Sequence, residues 1–190
     1  MSLEFNRRSF LKYSAAAAVA VAGSSLLVGC GEDEYQKTGR IGSTLKLMGT
    51  FRMYDNPAPT FALDKSSTTN GTFTCKLNIK CTTKKVPLYV AAGCFQLTVI
   101  HDGKKTNYAD SGYVTVDKPN FKLAEKDDAE DFTITVKGNA SNPLNIVAGD
   151  KVEFMYWPRI QASSGNSGYT RAFCTWKMDA VSESGSIKLK

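Results

Sequence analysis

From Thr44 onward, apolar and polar residues alternate with a period of two rather than 3.6. The clearest run is Thr72 to Thr82. Phe73, Cys75, Leu77, Ile79 and Cys81 fall on one face, and Thr74, Lys76, Asn78 and Lys80 on the other. That is the signature of a half-buried antiparallel strand. Phe132, Ile134 and Val136 alternate with Thr133, Thr135 and Lys137 in the same way. Similar stretches cover Leu45 to Met53, Phe95 to Ile100, Tyr113 to Val116, Lys151 to Trp157, Thr170 to Met178 and Ser186 to Leu189. Asn70-Gly71, Asp102-Gly103, Asn142-Pro143 and Gly149-Asp150 supply turn signals between them. No dozen-residue window shows a helical stripe, and Ala124 to Asp131 has room for one short helical turn. About eight short strands with this spacing predict an all-β fold, an antiparallel β-sandwich or barrel.

The N-terminal segment has a different pattern. Asn6-Arg7-Arg8-Ser9-Phe10-Leu11-Lys12 precedes seventeen residues without charge, Tyr13 to Gly29, rich in alanine. A positive region followed by an apolar one is an export pattern. The paired arginines with Phe10, Leu11 and Lys12 resemble the twin-arginine consensus. Leu27-Val28-Gly29-Cys30 resembles a lipobox, whose cysteine sulfur takes a diacylglyceryl group before cleavage in front of it. The resemblance implies a bacterial lipoprotein fixed by Cys30 to the outer face of the cell membrane. Two acyl chains give stable attachment where one is marginal. An uncleaved spanning helix is the competing reading, at the lower end of the spanning length. The chain therefore divides into a leader at 1–29, a flexible polar tether at 30–43 and a β domain at 44–190.

Charge adds little at this stage. The chain holds 24 Lys and Arg against 18 Asp and Glu, net +6. The leader contains Arg7, Arg8, Lys12 and Glu4, which leaves +4 on the remainder. Basic residues look scattered along the chain, with Lys84-Lys85 and Lys104-Lys105 the adjacent pairs after the leader. Nucleic-acid binding would call for a basic stripe, so no nucleic-acid partner is expected.

The segment Phe95 to Gly103, together with Asn145 to Asp150 ahead of a strand, is similar to immunoglobulin-like domains of bacterial lipoproteins. No Trp lies between Cys75 and Cys94, so the resemblance implies the sandwich and not the antibody family.

Four cysteines follow Cys30: Cys75, Cys81, Cys94 and Cys174. An even number outside the cytoplasm points to disulfides. Cys75 and Cys81 on one strand lie about 20 Å apart, too far to bridge each other. Two connectivities remain open: Cys75 with Cys94 and Cys81 with Cys174, or Cys75 with Cys174 and Cys81 with Cys94. Cys94 precedes Phe95, Leu97 and Val99, so it faces away from the core unless the chain bulges near Gly93.

Chemistry has few residues to use. His101 is the single histidine, which excludes a blue-copper site and limits any serine or cysteine nucleophile to one base. No closely spaced cysteine pair suits zinc, and no phosphate-binding glycine loop appears. Glu125 to Asp131 is acidic but lacks the spacing of a calcium loop. Neither metal nor cofactor is expected, and the domain is read as non-enzymatic. The strongest binding candidate is the loop Pro158 to Tyr169 with its flanks. Tyr156, Trp157, Arg159, Tyr169 and Arg171 supply anchors, and Ser, Gly and Asn supply adaptable polar contacts. Such a surface suits a protein or surface-polymer partner. The alternative is an accessory subunit of an exported redox complex.

Overall fold

β-branched and aromatic residues at alternate positions favour extended backbone, because they pack on a pleated surface. A computed structural model of the chain describes residues 35–83, 87–161 and 167–190, apart from the side chains of 161 and 167. Sixteen strands form among them. In chain order they are β1 (Gln36–Arg40), β2 (Thr44–Lys46), β3 (Gly49–Met53), β4 (Thr60–Leu63), β5 (Gly71–Cys81) and β6 (Leu88–Val90). Next come β7 (Phe95–His101), β8 (Lys104–Ala109), β9 (Val114–Val116), β10 (Phe121–Leu123) and β11 (Ala129–Lys137). The last are β12 (Lys151–Tyr156), β13 (Arg159–Gln161), β14 (Ser167–Tyr169), β15 (Phe173–Glu183) and β16 (Ser186–Leu189).

Pairing is continuous along β2-β3-β5-β4-β16-β15-β12-β7-β8. β11 joins the free edge of β5 and carries β9 on its far side. These strands fold into two layers rather than one plane. The ring of Phe73 on β5 stacks on Phe154 of β12 at 5.6 Å, although the two strands are not neighbours in the sheet. Phe51 meets Tyr156 edge-on at 5.0 Å across the same gap. The layers join where Lys188 of β16 pairs with Thr60 of β4. The antiparallel all-β sandwich is thus observed.

Expected and observed elements differ where runs are short. Leu45 to Met53 is two strands, because Leu47 N–H donates to the Gly49 carbonyl and turns the chain. Sixteen appear where about eight were expected, because β6, β10, β13 and β14 are too short to show a period and β1, β4 and β8 bury at most one residue each. Ala124 to Asp131 forms no helical turn. Asp127 takes a left-handed φ of 75° and β11 starts at Ala129. The tether also shortens. Gln36–Arg40 lies parallel to Phe173–Lys177 as β1, and Tyr35 accepts a hydrogen bond from Phe173 N–H at 2.8 Å.

The expected disulfides are absent. Cys75, Cys81, Cys94 and Cys174 are all free and buried. Cys75 fills the inner face of β5, and Cys174 lies on the other layer opposite Tyr156. The Cys81 thiol donates to the Thr83 carbonyl at 3.1 Å and that of Cys94 to the Tyr89 carbonyl at 3.7 Å. Each acts as a small apolar core residue. Cys94 reaches the interior because Ala92–Cys94 is a 3-10 turn, which breaks the alternation before β7.

Candidate functional site

The four remaining strands make a small sheet, ordered β10-β6-β13-β14. Its position follows from register. Phe95 pairs with Tyr156, and Cys174 with the same residue, so β7 and β15 begin where β12 ends. β1 starts beside Phe173, and the Leu47–Met48 turn and the end of β5 lie at this end too. The small sheet connects to that end through residues 87–94 and 157–173.

Across the small sheet, Lys122 pairs with Tyr89, Tyr89 with Arg159, and Arg159 with Tyr169. Directly opposed residues share a face, so cation and aromatic alternate across four strands. The Lys122 ammonium lies 5.9 Å from the Tyr89 ring centroid, and the Arg159 guanidinium 5.6 Å from that of Tyr169. Both fall within the range of cation–π attraction. Tyr169 remains 54% exposed, while its hydroxyl closes over Gly93, where a Cβ would lie 2.4 Å away. Arg159 Nε is buried and finds no acceptor among the described residues. Beside the row, Tyr35, Leu47, Met48, Thr170, Arg171 and Ala172 line a cleft of about 350 Å³.

The five expected surface residues divide. Tyr156 is not at the surface. It is fully buried, its ring 5.1 Å from Phe95, and burial pushes its phenol pKa well up. Trp157 is half-buried, its ring 5.6 Å from that of Phe173. Arg159 and Tyr169 meet in the row, and Arg171 is exposed at the cleft. Tyr89, Lys122 and Tyr35 belong to the same region, and the loop-centred sequence reading missed them. Trp157→Ala is expected to lower stability by about 1–2 kcal/mol, the loss of one half-covered ring pair. Thermal melting checks this. A loss above about 4 kcal/mol would make Trp157 a core residue instead.

The remaining reactive groups are separated or occupied. His101 ends β7 while Cys94 precedes it, and a strand of that length holds them about 20 Å apart. His101 Nδ1 is 2.6 Å from Asp150 Oδ1, and this hydrogen bond to a buried carboxylate raises its pKa. Burial raises the thiol pKa of Cys94 to about 11 and of Cys174 to about 12. Four of the five carboxylates of the acidic segment are engaged within the domain. Asp128 accepts from the Ala124 and Glu125 amides, Asp127 pairs with Lys80, and Glu130 pairs with Lys118. Asp131 accepts from Tyr54 and Asn78.

Comparison with known proteins then bears on the leader, which lies outside the described residues. Residues 4–24 match the twin-arginine translocation (TAT) pathway signal sequence family. The chain carries a twin-arginine export signal. Among curated proteins none matches it. Two solved structures are similar. A β-sandwich protein of Clostridium difficile 630 is 11% identical, with a TM-score of 0.43, covering 80% of this chain and 99% of that one. A candidate lipoprotein of Bacillus subtilis 168 is 15% identical, with a TM-score of 0.40, over 70% of this chain. The exported chain spans 36% of that protein's length.

Proposed function

We propose that the exported chain is a lipoprotein, held on the outer face of the cell membrane through Cys30, whose β domain works by binding and not by chemistry. The row Lys122, Tyr89, Arg159 and Tyr169 carries the reading. Flat aromatic faces beside fixed cations form a surface suited to recognition. The state of the thiols agrees with it. With pKa values near 11 and 12, Cys94 and Cys174 stay protonated at neutral pH and are poor nucleophiles.

Attachment has a direct test. Wild-type cells fed a labelled fatty acid should yield a labelled protein shortened by the leader. Cys30→Ser should lose the label and stay at precursor size, because the sulfur is the group acylated before cleavage. Normal maturation of Cys30→Ser would overturn the lipoprotein reading.

A further inference from the structure

The single histidine of the chain stands on the hairpin between β7 and β8, at the other end of β7 from the small sheet. His101, the last residue of β7, pairs with Lys104, the first of β8, so Asp102 and Gly103 make the turn. Both take left-handed φ, 46° and 79°, as the tightest hairpin turns require. The turn thereby fixes the Asp102 backbone relative to the imidazole.

A carboxylate flanks each ring nitrogen. Nδ1 lies 2.6 Å from Asp150 Oδ1. Asp150 is only 3% exposed, and its other oxygen accepts the Val147 amide at 2.9 Å. An ionised carboxylate has no proton to give, so Nδ1 carries the hydrogen and donates it. The ring of neutral His101 then offers its lone pair at Nε2. Nε2 lies 3.5 Å from Asp102 Oδ2, and both side chains are exposed.

A carboxylate behind an imidazole whose second nitrogen is open is the arrangement that supports metal-bound histidines. The outer carboxylate sets the tautomer and ring direction and makes the ring a stronger donor. The spacing on the open side fits as well. Two donors about 2.0–2.1 Å from one ion, at a tetrahedral angle, stand about 3.4 Å apart.

We propose that His101 Nε2 and Asp102 Oδ2 together bind a divalent transition-metal ion, with Asp150 as the positioning residue behind the imidazole. Water fills the other coordination positions. On binding, the imidazole gives up any proton on Nε2 and keeps the one on Nδ1 for Asp150. A nitrogen–oxygen pair ranks copper(II) first and zinc(II) below it, whereas magnesium favours all-oxygen surroundings. This site is separate from the cation–aromatic row and does not depend on acylation of Cys30.

The test adds copper(II) to the mature protein in mildly alkaline buffer and reads it by pulsed electron paramagnetic resonance. With one histidine in the chain, an imidazole coupling can only come from His101. Copper held by other donors carries none, so the readout stays local. The wild-type protein should show modulation from one imidazole, its remote nitrogen strongly hydrogen-bonded. His101→Gln, at a position 61% exposed, should lose that modulation while staying folded. Asp102→Asn and Asp150→Asn should each weaken copper binding by roughly tenfold or more. Zinc(II) should displace the copper, and magnesium at the same concentration should not. Wild-type protein without imidazole modulation overturns the site. Asp102→Asn that binds copper as tightly as wild type leaves a lone surface histidine and overturns the two-donor site. Displacement by magnesium overturns the imidazole as ligand. Asp150 is buried, so if Asp150→Asn does not fold, the wild-type remote nitrogen decides. A weakly hydrogen-bonded signal there overturns the positioning role.

Discussion

Phe154→Ala is expected to destabilise the domain by about 3–5 kcal/mol, the range for losing a buried aromatic ring. Its side chain is fully buried between the layers, 5.6 Å from the Phe73 ring and 5.8 Å from that of Phe95. On the sheet it sits opposite Leu97 on one side and Trp176 on the other. Truncation removes contacts with both layers and leaves a cavity that rigid strands cannot close. For a domain of this size the melting temperature should fall by roughly 6–20 °C. Phe154→Leu, which keeps most of the volume, should cost much less. Thr115→Ala, at an exposed position on β9, should stay within about 0.5 kcal/mol. A change below about 1 kcal/mol for Phe154→Ala would contradict the two-layer packing.

The second large effect is on location. Replacing Arg7 and Arg8 together with lysine keeps the charge but removes both guanidinium forks, which present several donors in one plane. Full-length precursor should then accumulate in the cytoplasm, and the mature form should vanish from the membrane fraction. Cell fractionation with immunoblotting reads both. Continued export of the double variant would mean that the general secretory route carries the chain.

The long strands were legible in the sequence because they are half-buried, and burial on one face writes a period of two. β5 shows it best, with Phe73, Cys75, Leu77, Ile79 and Cys81 all inside. The Asp102-Gly103 turn was equally plain, since both residues take positive φ there. The small sheet was not legible. Its strands have three residues each, too few to show a period, and β6 pairs on both sides with segments far away in sequence, β10 and β13.

The cation–aromatic row was missed for a related reason. Tyr89, Lys122, Arg159 and Tyr169 look scattered along the chain and become neighbours only through register. The cysteines misled in the opposite direction. Their even number suggested oxidation, but the alternation that placed Cys75 and Cys81 inside already described two core residues.

The course of β1 has a mechanical consequence. It enters from the end that carries the small sheet and pairs with β15 over its own whole length, Gln36 beside Phe173 through Arg40 beside Lys177. Tension applied through the N-terminal segment acts along the strand axis, across hydrogen bonds that lie transverse to it. Those bonds are loaded together in shear and cannot be peeled one at a time. Thr44–Lys46, the next strand, pairs with Thr50–Arg52 and passes any remaining load into the opposite layer. The first clamp that such tension meets is thus in the shear geometry, which resists rupture better than peeling does.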